Sequence, residues 1–177
     1  MLSISVFIDR LNLYLGRFIS LAAILMAIIM FAVVVLRYGF NIGWIAMQES
    51  ITYLHAAVFL MGAAYTYQCD GHVRVDVFYR RFSSRQKTLV NFFGTLLFML
   101  PISLFITWAC FDYVLESWRL KESSMEPGGL PIVYVLKSFL LVFSLSLFLQ
   151  SLSELIKLGL SILSRAEKSG DKTEAKR

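Results

Sequence analysis

Glu49, His55, His72 and Asp76 are the residues of this chain whose types and placing invite a chemical reading. Glu49 lies about one and a half turns past Trp44, at the mouth of a stretch that then runs without charge from Ser50 to Cys69. A carboxylate in a membrane span is costly at mid-depth and less so near the edge. Coupling to a proton or ion would justify it. So would anchoring by hydrogen bond or salt bridge, to a partner helix or to Arg37 across a short turn. With no second carboxylate at similar depth except Asp112, the anchoring role is the one expected. His55 is read as a neutral ring hydrogen-bonded within a bundle. His72 and Asp76, four apart with Arg74 between them, can share a helix face. A metal would need further ligands, and none is suitably spaced. These three residues are expected to cap and fix a loop at an interface. Bis-histidine haem ligation by His55 and His72 is disfavoured, because both lie on or beside one helix. No nucleophile–base pair, phosphate-cradling glycine loop or catalytic carboxylate pair can be assembled. The chain is therefore expected to be no enzyme and to hold no cofactor or metal. Cys69 and Cys110 lack CxxC or metal spacing, fall toward opposite membrane faces, and are read as small buried hydrophobes.

The elements that must hold these residues are long and apolar. Of 177 residues, 58% are hydrophobic and 16% charged, where a soluble domain carries about 25% charged. The expected architecture is a single all-α membrane domain over 1–164. It has four transmembrane helices, preceded by a short amphipathic interfacial helix at 3–17. In that first helix Ile4, Phe7, Ile8, Leu11, Leu15 and Phe18 line one side, and Ser5, Asp9, Asn12 and Gly16 the other. A plain extension of the first span is the alternative. That span, 18–36, reaches about 28 Å and ends at Arg37-Tyr38. A turn at 39–43 leads to the second span, 44–69. Glu49, Ala56 and Ala63 recur there every seven residues, with Gly62 and Ala64 beside them, a small-residue face suited to another helix. The third span, 88–112, carries Pro101 and is expected to kink there. A polar segment and the turn Pro127-Gly128-Gly129-Leu130-Pro131 precede the fourth span, 132–156. Lys137, near its start, is placed to snorkel or to meet Asp112 or Glu116. Residues 165–177 read as a disordered tail.

The net charge of +5 is no nucleic-acid footprint, since the 17 Lys and Arg lie mostly between and beyond the apolar blocks. They set orientation instead. Arg10 and Arg17, the loop residues Arg74, Arg80, Arg81, Arg85 and Lys87, and the basic residues from Lys157 onward place both termini and loop 70–87 in the cytoplasm. Glu49 then lies toward the outer face, and His72 and Asp76 at the inner one.

Several of these residues together resemble a known family. Arg37-Tyr38 closes the first span, Trp44 and Glu49 open the second, and Gly62-Ala63-Ala64 lies within it. Gly71-His72-Val73-Arg74-Val75-Asp76 and then Arg80-Arg81 follow, with a Gly-Gly-Leu-Pro turn before the last span. Over residues 5–160 this resembles the small membrane subunit of a tripartite ATP-independent periplasmic (TRAP) transporter, the DctQ type. The resemblance implies two partners in the bacterial inner membrane and periplasm. One is a large membrane subunit of the DctM type, carrying the substrate and sodium sites. The other is a periplasmic binding protein of the DctP type, delivering an organic acid anion. The small subunit would enlarge the fixed scaffold and help dock the binding protein. Arg37, Trp44, Glu49, Gly62, Ala63, His72, Arg74 and Asp76 would serve structure or partner contact. The runner-up reading is a self-sufficient four-helix transporter, a homodimer with Glu49 as its coupling site.

Overall fold

The computed structural model describes residues 2–72 and 76–174. Helices follow one another in the order α1 (Leu2–Phe40), α2 (Ile45–Gln68), α3 (Asp76–Tyr79), α4 (Ser84–Gly94), a π-turn (Thr95–Met99), α5 (Leu100–Leu120) and α6 (Val133–Glu174). There is no strand among the described residues. Among the described residues, three stretches are long and apolar enough to cross a membrane: Ser5–Phe40, Ser84–Leu120 and Val133–Ser164. With 24 residues α2 is long enough too, reaching about 36 Å. Its Glu49, His55, tyrosines and terminal glutamine make it more polar than the other three.

Successive long helices run antiparallel. Gly16 of α1 lies against the Tyr65 ring near the end of α2; a Cβ at Gly16 would stand 2.5 Å from that ring. Ser5 meets Ser153 and Asn12 meets Gln150, so α1 descends as α6 rises. Thr107 of α5 donates to Ser144 of α6 at 2.9 Å. One end of the bundle therefore gathers the start of α1, the close of α2, α4 and the far half of α6. The other gathers the α1–α2 turn and the α5–α6 loop.

Local chemistry accounts for the breaks. Asn41, at φ +54°, ends α1, and Asp70, at φ +56°, ends α2 with Gly71 N–H closing on Thr66 O at 2.9 Å. Ser83 and Gln86 form a capping box that starts α4. Pro101 has no N–H and its ring crowds the carbonyl four residues back. The helix accommodates it by widening the preceding turn, where Leu100 N–H reaches Thr95 O. The irregularity thus lies at Thr95–Met99, N-terminal to the proline.

Several expectations are corrected. No separate interfacial helix exists at 3–17, because α1 is continuous. Its polar side, Ser5 and Asn12, is buried against α6, while Phe7 and Phe18 are 68% and 73% exposed. The polar face is thus turned to protein, and of the apolar side Ile8 is buried with it while Phe7, Leu11 and Phe18 face outward. The third span begins at Ser84 and continues to Leu120, past the expected 88–112. α6 runs on to Glu174, through most of the stretch read as a tail, because extending an existing helix needs no new nucleus. Cys69 is exposed and Cys110 half-buried, so neither is the buried hydrophobe expected.

Candidate functional site

Two polar clasps hold the bundle, one at each end. The first is built on Glu49 in the first turns of α2. The α5–α6 loop folds over it. Lys121, at φ +49°, caps α5, and Glu122 N–H returns to Ser117 O at 3.1 Å. Within the loop Ser124 N–H bonds Leu130 O at 3.1 Å and Gly129 N–H bonds Glu126 O at 2.9 Å. Gly128 sits at φ +80°, a conformation open to glycine. A Cβ on Gly129 would stand 2.5 Å from Ser124 Oγ and 2.7 Å from Glu49 Oε1. Two glycines in sequence are thus needed, one for its backbone angle and one for close approach. Held this way, the loop gives both Glu49 oxygens a donor: the Ser124 hydroxyl on Oε1, and Leu130 N–H on Oε2 at 2.6 Å.

Beside this pair, Glu122 receives Lys137 Nζ at 2.5 Å and the Ser117 hydroxyl at 2.6 Å. The Lys137 bond first, and the Ser117 bond second, hold the Glu122 carboxyl below its ordinary range. Lys137 also lies over the Tyr113 ring at 3.9 Å, and Trp118 Nε1 donates to Ser138 at 2.8 Å. Lys137 therefore pairs with Glu122, not with Asp112 or Glu116. Glu49 is anchored by the loop, not by Arg37.

The second clasp joins α1 to α6. Asn12 Nδ2 donates to Gln150 Oε1 at 2.6 Å, and Gln150 Nε2 donates to Asp9 at 3.1 Å and Glu154 at 3.2 Å. Ser153 Oγ donates to Asp9 at 2.9 Å and lies 2.6 Å from Ser5 Oγ. Lys157 Nζ bridges Asp9 at 2.7 Å and Glu154 at 2.9 Å. Gln150 is 0% exposed and Asn12 2%, yet each polar group named here has a partner, as low-dielectric burial demands.

The other residues singled out from sequence fall apart from these clasps. Arg37 is exposed at the end of α1, and Trp44 is exposed at the N-cap of α2. Gly62 has no atom within 4 Å of where its Cβ would stand, while Ala64 is buried at 1%; Ala63 is half-buried. His55 is exposed and stacks on Phe59 at 6.3 Å, in place of the hydrogen bond expected within the bundle. His72 is exposed near the Tyr67 ring, and Asp76 opens α3. Arg74 lies outside the described residues. No group of three His, Cys, Asp or Glu among the described residues is placed to hold a metal. Sequence reading placed Asp9 and Asn12 on the polar side of the first helix and Lys157 among the orienting charges, but gave none of Asp9, Asn12, Gln150, Glu154 and Lys157 a part in a site. Their signal was a pair of polar faces: Ser5, Asp9 and Asn12 at helical spacing near one end of the chain, and Gln150, Ser153, Glu154 and Lys157 near the other.

Long apolar helices bound to one another through internal polar clasps are the build of a helical membrane protein. Within that class, residues 26–159 match the family model of the tripartite ATP-independent periplasmic transporters, DctQ component. The chain belongs to this family, a family of transporter components and not of enzymes. No curated protein and no solved structure matches it.

Proposed function

We propose that this chain is the small, fixed subunit of a sodium-driven TRAP transporter in a bacterial inner membrane. It crosses four times, α2 included, with both termini in the cytoplasm. Its task is to scaffold the large DctM-type transport subunit and to help dock the DctP-type periplasmic binding protein that delivers an organic acid anion. The observation that carries this reading is the state of the carboxylates. Glu49 has a donor on each oxygen, and Asp9 is held by Lys157, Gln150 and Ser153. Groups so fully engaged favour a rigid role over a cycle of ion loading and release. The face of α2 with the open notch at Gly62 and the exposed ring of His55 supports contact with another membrane chain, which would spare the imidazole from lipid. Arg37, Trp44, Ala63, His72, Arg74 and Asp76 are assigned to the ends and partner contacts of the same scaffold.

Gentle solubilisation and purification through a tag on this chain tests the proposal. A large membrane subunit is expected in equal amount, and sodium-driven uptake is expected to fail without this chain. Purification as a lone homodimer that transports in liposomes would instead favour the self-sufficient reading with Glu49 as its coupling site.

A further inference from the structure

The end of the bundle that holds the α1–α6 clasp also contains a cavity of about 460 Å³. It lies between the last turn of α2, the widened turn at Thr95–Met99, and α6 near Glu154. Turns of this wide kind inside α-helices recur at functional sites. The walls are of two sorts. Val90, Phe98, Met99 and Leu158 make an apolar side. Tyr67, Gln68, Asp70, Asn91, Thr95 and Glu154 make a polar one.

The polar wall has spent its hydroxyl donors and kept acceptors. Thr95 has one hydroxyl proton, which goes to the Asn91 carbonyl at 2.8 Å. The 2.6 Å contact between the Tyr67 and Thr95 hydroxyls is therefore donated by Tyr67. Gln68 Oε1 is buried with no hydrogen-bond partner. Glu154 accepts from Gln150 and Lys157, both through Oε1, which leaves its Oε2. A buried acceptor without a donor is costly, so Gln68 calls for a hydrogen-bond donor, and Glu154, met by Lys157 on Oε1, can take a cationic donor on Oε2. Asn91 Oδ1 is taken by Tyr79 at 3.2 Å, so what Asn91 offers is its amide NH₂, a donor suited to an anionic oxygen.

We propose that this cavity binds the head group of a membrane lipid bearing a primary ammonium. The ammonium is held by Gln68 Oε1 and Glu154 Oε2, and the phosphate by the Asn91 amide. The acyl chains lie along the outer flank of the widened turn, where Leu97 and Phe98 are 60% and 64% exposed. A lysine side chain of a neighbouring subunit presents the same ammonium. The lipid is favoured because the apolar wall continues onto that exposed flank, which a lysine stem would leave bare. The inference rests on the chain's place in a membrane and not on its assembly with other subunits.

The test offers the delipidated full chain, in detergent, an equimolar mixture of lipids with identical acyl chains and ethanolamine, choline or glycerol head groups. Native mass spectrometry reads what is retained. A choline head carries charge without N–H, and a phosphoglycerol head has donors but net negative charge. Retention of the ethanolamine lipid is expected to exceed the other two by about tenfold, the scale of one charge-assisted hydrogen bond. Gln68→Leu, which keeps the volume, is expected to remove most of that preference. Met99→Trp, which fills the cavity and leaves the polar wall intact, is expected to abolish retention with unchanged helix content. Equal retention of the three head groups overturns the proposal, as does a preference that survives both substitutions. Should the lone chain show no preference while a co-purified large subunit shields Glu154 from carbodiimide, the occupant is that subunit's cation and the lipid assignment falls. Co-purification itself is read separately, so a failed scaffold reading and a failed lipid site give different results.

Discussion

The two clasps solve the same problem by different means. At the α1–α6 end, the polar groups sit on two long helices far apart in sequence, and the key amides are fully buried. At the Glu49 end, a carboxylate near a helix start holds a loop, and the partners are loop backbone, one hydroxyl and an ion pair left partly open to solvent. The first therefore decides which helices lie side by side. The second decides the shape of a surface segment. Loss of the first should loosen the whole bundle, and loss of the second should loosen one loop.

The largest effect is expected from Gln150→Leu. It strands the Asn12 amide in a place water does not reach and removes a donor from the half-buried Asp9. A buried group left unpaired costs about 1–3 kcal/mol, and thermal unfolding in detergent should show a clearly lowered midpoint. An unchanged midpoint would mean that this end is not the stronger tie.

Next comes Gly129→Ala. The added methyl collides with Ser124 and Glu49, so the loop must open while the helices stay paired. Hydrogen exchange at Leu130 N–H should quicken by about tenfold or more, the signature of local opening, with the overall midpoint little moved. A large fall in the midpoint instead would erase the distinction between the clasps.

The smallest effect concerns acid. The folded state lowers the Glu122 carboxyl pKa through Lys137 and then Ser117. Stability from this pair is thus fully present above the ordinary glutamate range and fades only as pH falls through the lowered folded value. Emission from Trp118, beside the pair, should stay flat from neutral pH down to about 5 and shift only in stronger acid. Glu122→Gln should remove that shift. A transition near neutral pH would show that another group governs this end.

Much of the architecture was readable in the residues because apolar periodicity and length are local properties. The helical class, the membrane stretches, the Pro-Gly-Gly turn and the family pattern all arise that way. The clasps were harder to see because their long-range ties span from 75 to 148 positions. Asp9 and Asn12 have the same 3.6-residue spacing whether their face meets water or Gln150, and spacing alone does not choose. Glu49 was expected to act as an anchor, and it accepts hydrogen bonds from Ser124 and Leu130. Its partner was sought in another helix or in Arg37 across the short turn, when the loop that supplies Ser124 and Leu130 lies far along the chain. Lys137 likewise found Glu122 over Asp112 and Glu116, since the reversal at Lys121 brings Glu122 back against the last turn of α5.

The widened turn at Thr95–Met99 carries a consequence for how this helix tolerates change in length. Five residues there occupy a stretch that an ordinary α-helix would fill with four, so the turn behaves as an absorbed insertion. Each residue of an α-helix advances the azimuth by about 100°. Deleting one residue within the turn would let it revert to regular winding with both flanks in their present phase. Deleting one on either side would instead swing Asn91 and Thr95 out of line with Ser103 and Thr107. The segment is thus a buffer of helical phase, a place where the chain can lose a residue without turning its two halves to face different neighbours.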